Sequence, residues 1–407
     1  MTESIFVNSR LRLVHITTVP MSLRFLHGQT TFMKSHGLEI HAVSSPGMVL
    51  EAFGREERIA THEIDMPRRI TPLRDLRTIW RLIRTLHHIR PVIVHAHTPK
   101  GGLLGMISAW AVRTPVRIYH LRGLPYITAT GAKRTLLKWT ERVSCMLAHR
   151  VICVSHSIRD VAVNDCICSY NKIVVLKGGS GNGVDAGERF NPERTGEADR
   201  ISRRETLGIR TDSLVIGFVG RLVRDKGIEE LSRAWLILRE KYLDIHLVLL
   251  GPLESQDPVS PETLDILRLD PRVHMVGGVD DSSSWYELFD LVVLPTYREG
   301  FPNVPLEAAA MELPVVATRI PGCIDAVEDG VTGTLVPPRE VEPLADAIRR
   351  YLDNSELRAK HGKAGRARVL REFQQEAIWE AIYQEYCRLL TERGIPIPTP
   401  NPVTAPR

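Results

Sequence analysis

The sequence has no apolar run long enough to cross a bilayer. A membrane-spanning helix needs about 18 or more consecutive apolar residues, whereas GGLLGMISAWAV, one of the most apolar windows, is shorter and runs into Arg113. The first residues, MTESIFVNSR, also lack the charged and then apolar pattern of a signal peptide. These absences predict a protein that stays in the cytoplasm.

Cysteine is scarce. The chain of 407 residues has six cysteines, and none forms a CxxC pair or another spacing typical of zinc ligands. The one close pair, Cys166 and Cys168, is interpreted as ordinary thiols. The sequence therefore predicts neither disulfides nor a bound metal. A GxGxxG fingerprint is also absent, which argues against a dinucleotide-dependent dehydrogenase.

Positive charge is unevenly distributed along the chain. The sequence has 53 Lys+Arg and 48 Asp+Glu, a formal net charge of +5. Residues 1–175 hold 24 of the basic residues and 11 of the acidic ones, so this part carries a net charge of +13 and the remainder −8. A basic half beside an acidic half predicts that the first half meets an anionic surface.

Two segments of the basic half have the pattern of basic amphipathic helices. They are residues 77–90, RTIWRLIRTLHHIR, and residues 132–150, AKRTLLKWTERVSCMLAHR. Such helices either lie on a membrane or pack their apolar stripe onto a sheet. The summed charge favours peripheral contact with the anionic inner face of the cytoplasmic membrane. Nucleic-acid binding is not expected, because it would rest on charge alone, without an aromatic–basic motif.

Short apolar strands alternate with helical patterns throughout the chain, which is typical of parallel sheets covered by helices on both faces. Two series can be recognised, and they predict an α/β protein of two doubly wound, Rossmann-like domains. The predicted strands are 11–17, 38–43, 91–97, 116–121, 150–155 and 172–176 in the first series, and 214–220, 245–251, 273–277, 290–295, 314–318 and 333–336 in the second.

Composition predicts the domain boundaries. A glycine-rich, charged stretch at 178–200 separates the two series. The prediction is a first domain over 1–190, a linker over 191–210 and a second domain over 211–372. A helix over 373–392 carries an apolar stripe of Ile378, Ile382, Tyr386 and Leu389 or Leu390. The end, 393–407, is rich in proline and is predicted to be disordered.

The most informative motif is PTYREGFPNVPLE, residues 295–307. A predicted strand runs into a loop, and a helix follows with Asn303 as the expected N-cap and Pro305 in its first turn. The N-terminus of such a helix binds anions. Glu299 and Glu307 are expected to face this anion site, where they would repel phosphate unless they bind sugar hydroxyls. The alternative for Glu307 is stabilisation of the helix N-terminus.

A second motif, GFVGRLVRDKGIEEL at 217–231, places positive charge at the end of a predicted strand. Gly220 lets the backbone approach a ligand, and Arg221 and Lys226 follow at the edge where open α/β sheets bind ligands. Arginine suits a diphosphate by its bidentate geometry, and lysine adds a point charge. The alternative is a surface turn with solvated side chains.

Together the two motifs resemble the donor site of glycosyltransferase family 4, whose members have the two-domain GT-B fold. The elements that carry the resemblance are GRLVRDKG, the E-x7-E element EGFPNVPLE and VEDGVTGTLVPP. Three further stretches, VHAHTPKGGLLG, RIYHLRGLPYITATG and NGVDAGERF, look closest to the capsular and O-antigen polysaccharide branch. The resemblance covers nearly the whole chain. It implies two Rossmann-like domains facing across a cleft, with the last helix crossing back to the first.

The resemblance also implies roles for residues of both motifs. Arg221 and Lys226 would neutralise the diphosphate of a nucleotide-sugar donor, Glu299 would bind the donor sugar, and Glu307 the ribose. The backbone around the phosphate and sugar would be that of Gly220, Gly300, Phe301, Asn303 and Val304. No metal or other cofactor is implied, because Asp280 and Asp281 in VDDSSSW look like a helix start rather than a metal-binding DxD motif.

In the first half, the resemblance places His120 and Arg122 of HLRG toward the donor sugar or a phosphate. Many relatives have a histidine before the glycine, where this chain has Arg122. Strand alternation puts both side chains on one face. His95 and His97 raise the same question, and packing in the core is the alternative for at least one of them.

The function implied by the resemblance is a retaining, metal-independent glycosyltransferase, a hexosyl- or N-acetylhexosaminyltransferase. Its donor would be a nucleotide diphosphate sugar, with UDP favoured. Its acceptor would be a polyprenyl-diphosphate-linked saccharide in bacterial surface polysaccharide biosynthesis, of capsule or lipopolysaccharide. One alternative is a GT-B nucleotide-sugar epimerase, which would need acidic catalytic groups in the first domain. The other is a non-catalytic nucleotide-sugar-binding subunit, against which the intact charged motifs argue.

Overall fold

The computed structural model describes residues 11–194 and 196–398, and the chain divides into two compact units. The first unit contains the residues up to Asn182 and those from Gln375 onward, and the second runs from Gly183 to Gln374. This division falls earlier than the expected boundary at 190. The expected linker, 191–210, includes a helix whose buried Arg204 donates to the carbonyl of Ser213, 2.9 Å away.

The first unit is built on a seven-stranded sheet in the order β3-β2-β1-β4-β5-β6-β7, with parallel pairing between neighbours. Its strands are β1 (Leu11–Ile16), β2 (Leu38–Ser44), β3 (Ala60–Glu63), β4 (Ile93–His97), β5 (Val116–Leu121), β6 (Arg150–Cys153) and β7 (Ile173–Val175). Its helices are α1 (Gln29–Ser35), α2 (Met48–Glu57), α3 (Pro72–Ile89), α4 (Pro99–Ala111), α5 (Gly131–Leu147) and α6 (His156–Asn164). The strand order reverses between β1 and β4, and ligands of such sheets bind at the carboxyl ends of the strands there.

The second unit has a six-stranded parallel sheet in the order β10-β9-β8-β11-β12-β13. Its strands are β8 (Leu214–Val219), β9 (Ile245–Leu250), β10 (Val273–Gly277), β11 (Leu291–Leu294), β12 (Val315–Thr318) and β13 (Gly333–Val336). Its helices are α7 (Glu197–Thr206), α8 (Ile228–Lys241), α9 (Pro261–Leu269), α10 (Ser283–Tyr286), α11 (Asn303–Ala310), α12 (Cys323–Ala326), α13 (Val341–Asp353) and α14 (Ser355–Glu372). Its order reverses between β8 and β11.

These two parallel sheets confirm the predicted pair of Rossmann-like folds. Every predicted strand is present, with its ends moved by at most about two residues. The strand β3 was not predicted. Its sequence, ATHE, has little apolar character because it forms the edge of the first sheet, where its side chains are half-buried or exposed.

The last helix, α15 (Gln375–Thr391), belongs to the first unit. Its predicted apolar stripe is buried in a cluster that includes Leu13, Ile118 and Ile152 of the sheet. After the helix, Ile395 donates its backbone N–H to the Leu390 carbonyl, 3.0 Å away. The rest of the expected disordered tail, 399–407, and residues 1–10 lie outside the described residues.

Within residues 11–194 and 196–398, no helix combines the length and the apolar character that a membrane span requires.

Candidate functional site

The loop after β8 comes close to the loop after β9. Gly220 has a φ of +150° and donates its N–H to the Leu250 carbonyl, 2.9 Å away. A Cβ at Gly251 would lie 1.8 Å from the Gly220 carbonyl oxygen, so only glycine fits there. Arg221 follows on the surface, and its Nη1 lies 2.8 Å from Glu254 Oε2. The predicted arginine therefore stands at the carboxyl end of β8, paired with a carboxylate.

Gly227 brings the same loop against the end of β11. Its φ is +71°, and a Cβ there would lie 2.0 Å from the Pro295 carbonyl oxygen. This close approach puts Lys226 beside the loop that follows β11. Lys226 Nζ donates to Glu299 Oε1, and the two side chains are only 17% and 14% exposed. The two sequence motifs, 73 residues apart at this pair, thus meet at the switch point of the second sheet.

The helix α11 begins one residue away from the predicted position. Pro302 is its N-cap, so the prediction of Asn303 as N-cap is wrong, and no side chain caps the helix. Proline has no N–H, and prolines occupy both the N-cap and the third helical position, Pro305. Of the four orphan donors at this helix start, the N–H groups of Asn303 and Val304 remain. Two adjacent donors at the positive end of a helix dipole form an anion-binding geometry.

The loop between β11 and α11 packs closely against Gly322. A Cβ at Gly322, whose φ is +85°, would lie 2.5 Å from the Gly300 carbonyl oxygen. Phe301 packs against Phe373, with ring centroids 5.5 Å apart. These contacts fix the backbone that carries Glu299 and Gly300.

Glu307 has a different partner from Glu299. Its Oε2 accepts a hydrogen bond of 2.6 Å from the hydroxyl of Tyr286, which is buried at the end of α10. Burial raises the pKa of Glu307, although the Tyr286 hydrogen bond opposes that shift. Glu299 is thus paired with Lys226, whereas Glu307 is oriented by a phenol, and that both carboxylates face one anion site stays a prediction.

Asp281 is engaged at a helix start, as its sequence context indicates. Its Oδ1 accepts from the backbone N–H of Ser283 at 3.0 Å and from Arg189 at 2.8 Å. The N-cap of α10 is Ser282.

In the first unit, His120 and Arg122 belong to a cluster at the carboxyl ends of β1, β4 and β5. The register pairs His15 with His95 and His97 with His120 across neighbouring strands, and all four imidazoles are buried. Arg122 is half-buried, with its guanidinium 4.5 Å from the ring of Phe25. Sequence reasoning missed His15, whose signal is its position near the end of a strand next to β4.

Two hydrogen-bonded chains order this cluster. In one, Arg122 Nε donates to His97 Nδ1 at 3.3 Å, so the His97 proton lies on Nε2 and is donated to His15 Nδ1, 3.0 Å away. In the other, the Tyr386 hydroxyl lies 2.6 Å from His95 Nδ1, and His95 Nε2 lies 3.2 Å from His120 Nδ1.

The imidazoles and the phenol in these chains are neutral. Burial, and then the charge of Arg122, lowers the pKa of His15 to about 3, and burial raises the pKa of Tyr386. With the Tyr386 hydroxyl as donor to His95 Nδ1, the second chain ends on an imidazole N–H at Nε2 of His120, as the first does at Nε2 of His15. Neither of these buried nitrogens has a partner among the described residues.

The same protons decide against a metal centre made of His15, His95 and His97. One ring nitrogen from each of the three lies within 4.8 Å of the other two, close enough for a shared ion. An imidazole that binds a metal needs a free lone pair on a ring nitrogen. In each of these three rings, one nitrogen already accepts a hydrogen bond and the other carries the proton. The cluster fits a pair of N–H donors better than a metal.

The structure thus brings together Lys226, Glu299 and the start of α11 in the second unit, with Arg221 and Glu307 nearby in the same motifs. His120 and Arg122 lie together in the first unit, both linked to the histidine cluster.

Comparison with known proteins places the two halves of the chain in related families. A family described as "Glycosyl transferases group 1" matches residues 213–354, and one described as "Glycosyl transferase 4-like domain" matches residues 25–179. The chain is 34% identical over 381 residues to the capsular polysaccharide biosynthesis glycosyltransferase CapM of Staphylococcus aureus, covering 94% of this chain and 98% of that relative.

A second relative is the UDP-Gal:alpha-D-GlcNAc-diphosphoundecaprenol alpha-1,3-galactosyltransferase of Escherichia coli. It is 26% identical over 293 residues, which is 71% of this chain and 74% of that protein.

Solved structures share the fold. A glycosyltransferase from Rickettsia africae aligns with a TM-score of 0.78 at 17% identity, covering 94% of this chain and 99% of that one. Anabaena HepE in complex with UDP-glucose aligns with a TM-score of 0.77 at 21% identity, covering 93% and 100%.

Proposed function

This chain belongs to glycosyltransferase family 4, and from that premise we propose that it moves a sugar from a UDP-sugar to a lipid-linked saccharide. The coarser function, that of a glycosyltransferase of capsular polysaccharide biosynthesis, follows from the match to CapM over nearly the full length of both chains. The observation that carries the finer proposal is the meeting of Lys226, Glu299 and the uncapped start of α11.

The donor diphosphate binds where positive groups converge in the second unit. Lys226 and the N–H groups of Asn303 and Val304 supply three donors, and Arg221 adds a guanidinium at the end of β8. Lys226 forms an ion pair with Glu299. A bound diphosphate takes over the Lys226 ammonium, which leaves Glu299 to accept hydrogen bonds from sugar hydroxyls.

Glu307 binds the ribose of the donor. Tyr286 holds one carboxylate oxygen at 2.6 Å, so the carboxylate is oriented before a ligand arrives. The second oxygen is the acceptor for a ribose hydroxyl. A neutral nucleoside hydroxyl suits this half-buried group, because it adds no charge to it.

The transfer needs stabilisation of a leaving group. The bond between the sugar's anomeric carbon and the diphosphate oxygen breaks, and a bond from that carbon to the acceptor hydroxyl oxygen forms on the same face. The acceptor proton passes to the departing phosphate oxygen. Lys226, Arg221 and the two N–H groups of α11 stabilise the negative charge of that diphosphate. Neither Glu299 nor Glu307 is required as a nucleophile, and no metal ion is required.

His120 is assigned as the first unit's hydrogen-bond donor to substrate. Its Nε2–H has no partner among the described residues and is oriented through His95 and Tyr386. Arg122 supplies positive charge in the same cluster.

The lipid-linked acceptor is supported by the E. coli relative, whose name specifies a diphosphoundecaprenol-linked acceptor. An enzyme with such a substrate meets a membrane surface, and the first unit has a suitable face. One face of α3 buries Leu82, Leu86 and Ile89, whereas Leu73 and Leu76 are 85% and 64% exposed. Arg77, Arg81 and Arg84 are also exposed on this helix.

Exposed tryptophans also occur on three successive helices of the first unit. Trp80 of α3, Trp110 of α4 and Trp139 of α5 are 59%, 57% and 58% exposed, and these three are half of the chain's six tryptophans. Tryptophan favours the boundary between water and lipid, and basic residues favour anionic lipids. We therefore propose that these exposed residues contact the inner face of the cytoplasmic membrane.

Donor binding tests the proposed site. We expect Glu307→Gln to weaken UDP binding by roughly 10- to 100-fold, because a hydrogen bond to a charged group is lost. Glu312→Gln, an exposed residue just after α11, is the matched control and should leave the Kd unchanged. Calorimetric titration of the full chain with UDP measures both. Equal affinities of Glu307→Gln and the wild type would remove the ribose-binding role.

The stereochemical outcome is tested separately. The product formed from a UDP-sugar of known anomeric configuration should retain that configuration when followed by NMR during turnover. Inversion would contradict the proposed same-face mechanism.

A further inference from the structure

A basic groove lies at the amino edge of the first unit's sheet, where α4 ends and β5 and β6 begin. The residues after α15 form another wall. The groove is lined by two apolar side chains, Trp110 and Ile395, and by four basic ones, Arg113, Arg117, His149 and Arg393. His120 and Arg122 lie at the carboxyl end of β5, so this groove is at the opposite edge of the sheet from the proposed substrate-binding residues.

His149 is held as a hydrogen-bond donor by the strand beside it. The backbone N–H of Arg117 donates to His149 Nδ1 at 3.1 Å, and the backbone N–H of His149 donates to the Arg117 carbonyl at 2.7 Å. Since Nδ1 is an acceptor, the proton of the neutral ring is on Nε2. Burial, and then Arg117, Arg393 and Lys172, lowers the pKa of His149 to about 4, so the ring stays neutral.

The arginines of the groove keep N–H groups that can donate to a ligand. Arg117 gives Nε to the Leu147 carbonyl at 2.8 Å and Nη1 to the Thr114 carbonyl at 3.0 Å, and these bonds fix its guanidinium at the groove. Arg393 gives Nη1 to the Leu389 carbonyl at 3.0 Å. Within the described ranges, neither Arg117 Nη2 nor the Arg113 guanidinium has a hydrogen-bond partner. Thr114, which also lines the groove, has a buried hydroxyl without one.

Positive charge in the groove is poorly compensated. In the described part of the chain, the carboxylate paired with these arginines is that of Glu392, 3.9 Å from Arg393 Nη1, and Glu392 is also paired with Arg388. Burial lowers the pKa of both Arg117 and Arg393, and repulsion by Arg393 lowers the pKa of Arg117 further. An anion with several acceptor oxygens would relieve this repulsion.

We propose that this groove binds a phosphate group, with Arg113, Arg117, Arg393 and His149 Nε2 as donors. Phosphate offers enough oxygens for these donors, and arginine suits its geometry. The exposed indole of Trp110 and the side chain of Ile395 flank the charged groups, so a phosphate that carries an apolar chain would gain additional contact. The group could come from an anionic phospholipid or from a free phosphate, and the proposal is independent of the glycosyltransferase reaction.

The test compares two probes on the full chain by calorimetric titration: inorganic phosphate, and dihexanoyl phosphatidic acid below its micelle-forming concentration. The groove variant is Arg113→Gln/Arg393→Gln. Arg117 is left intact because it also holds two backbone carbonyls. The control variant, Arg233→Gln/Arg268→Gln, removes the same charge from exposed positions of the second unit.

We expect the groove variant to weaken binding of at least one probe by roughly 10- to 100-fold, and the control to leave it unchanged. Tight binding of the lipid probe with weak binding of phosphate identifies a phospholipid, whereas similar affinities identify a free phosphate group. The proposal is overturned if neither probe binds the wild type, or if the groove and control variants lose affinity equally. UDP affinity should be unchanged in both variants, which separates this site from the proposed donor site.

Discussion

The close approach of Gly227 to Pro295 gives the sharpest prediction about the donor site. Gly227→Ala places a Cβ 2.0 Å from the Pro295 carbonyl oxygen in a residue with φ of +71°. The left-handed conformation costs a non-glycine residue about 1–2 kcal/mol. The overlap with a backbone oxygen at the end of β11, which cannot rotate away as a side chain does, adds about 1–3 kcal/mol.

A matched control separates these two costs. Gly330 has a φ of +74°, and a Cβ there meets nothing within 4 Å. Gly330→Ala therefore carries the conformational cost alone. For a unit of this size, about 1 kcal/mol lowers the Tm by roughly 2–4 °C. We expect Gly330→Ala to lower the Tm by a few degrees. Gly227→Ala, which carries both costs, should lower the Tm by at least about twice as much.

The same clash has a functional consequence. Relief of the overlap moves the Lys226 loop away from the loop that carries Glu299. We expect Gly227→Ala to weaken UDP binding by at least about tenfold, and Gly330→Ala to leave it intact. Calorimetry measures the Tm and the affinity. If the two variants are indistinguishable in both, the reasoning from the close approach of Gly227 to the donor site is refuted.

Three further predictions concern stability, the membrane and metal. Burial raises the pKa of Glu141 from 4.5 to about 7, so the native state keeps a proton that the unfolded state releases, and stability falls as pH rises from about 4.5 to 7. In urea unfolding, the free energy of unfolding of Glu141→Gln relative to that of the wild type should rise by up to about 3 kcal/mol between pH 4.5 and 8. A difference between the two proteins that does not change with pH would contradict this. Trp80→Ala/Trp139→Ala should reduce flotation with phosphatidylglycerol vesicles severalfold, and Leu243→Ala/Leu269→Ala, exposed in the second unit, should not. Removal of divalent ions with EDTA should leave turnover unchanged. A loss of turnover in EDTA that added Mg²⁺ or Mn²⁺ reverses would refute metal independence.

Much of the fold was predictable because parallel strands are buried on both faces and form apolar runs. The strand β3 was not predicted, because an edge strand such as ATHE needs little apolar character. Helix starts were harder to predict. Asparagine is a good N-cap in general, yet at α11 Pro302 is the N-cap and Asn303 is the first helical residue.

The sites depend on contacts that sequence spacing does not determine. Lys226 and Glu299 were recognised as members of two motifs, but their ion pair depends on the close packing at Gly227. The histidine cluster required the register that sets His15 beside His95, together with Tyr386 from a distant helix. The basic groove was missed because Arg393 lies far along the chain from Arg113 and Arg117.

The most direct test of the central proposal is turnover of a panel of UDP-sugars by the purified chain with a short-chain polyprenyl-diphosphate-linked saccharide. Glu299→Ala and Arg221→Ala are compared with the wild type and with Arg233→Ala as control. We predict acceptor-dependent release of UDP by the wild type and the control, lowered about 100-fold or more by each substitution in the site. Release of UDP at the same rate by all four proteins, or no turnover by folded wild type with any donor in the panel, would contradict it.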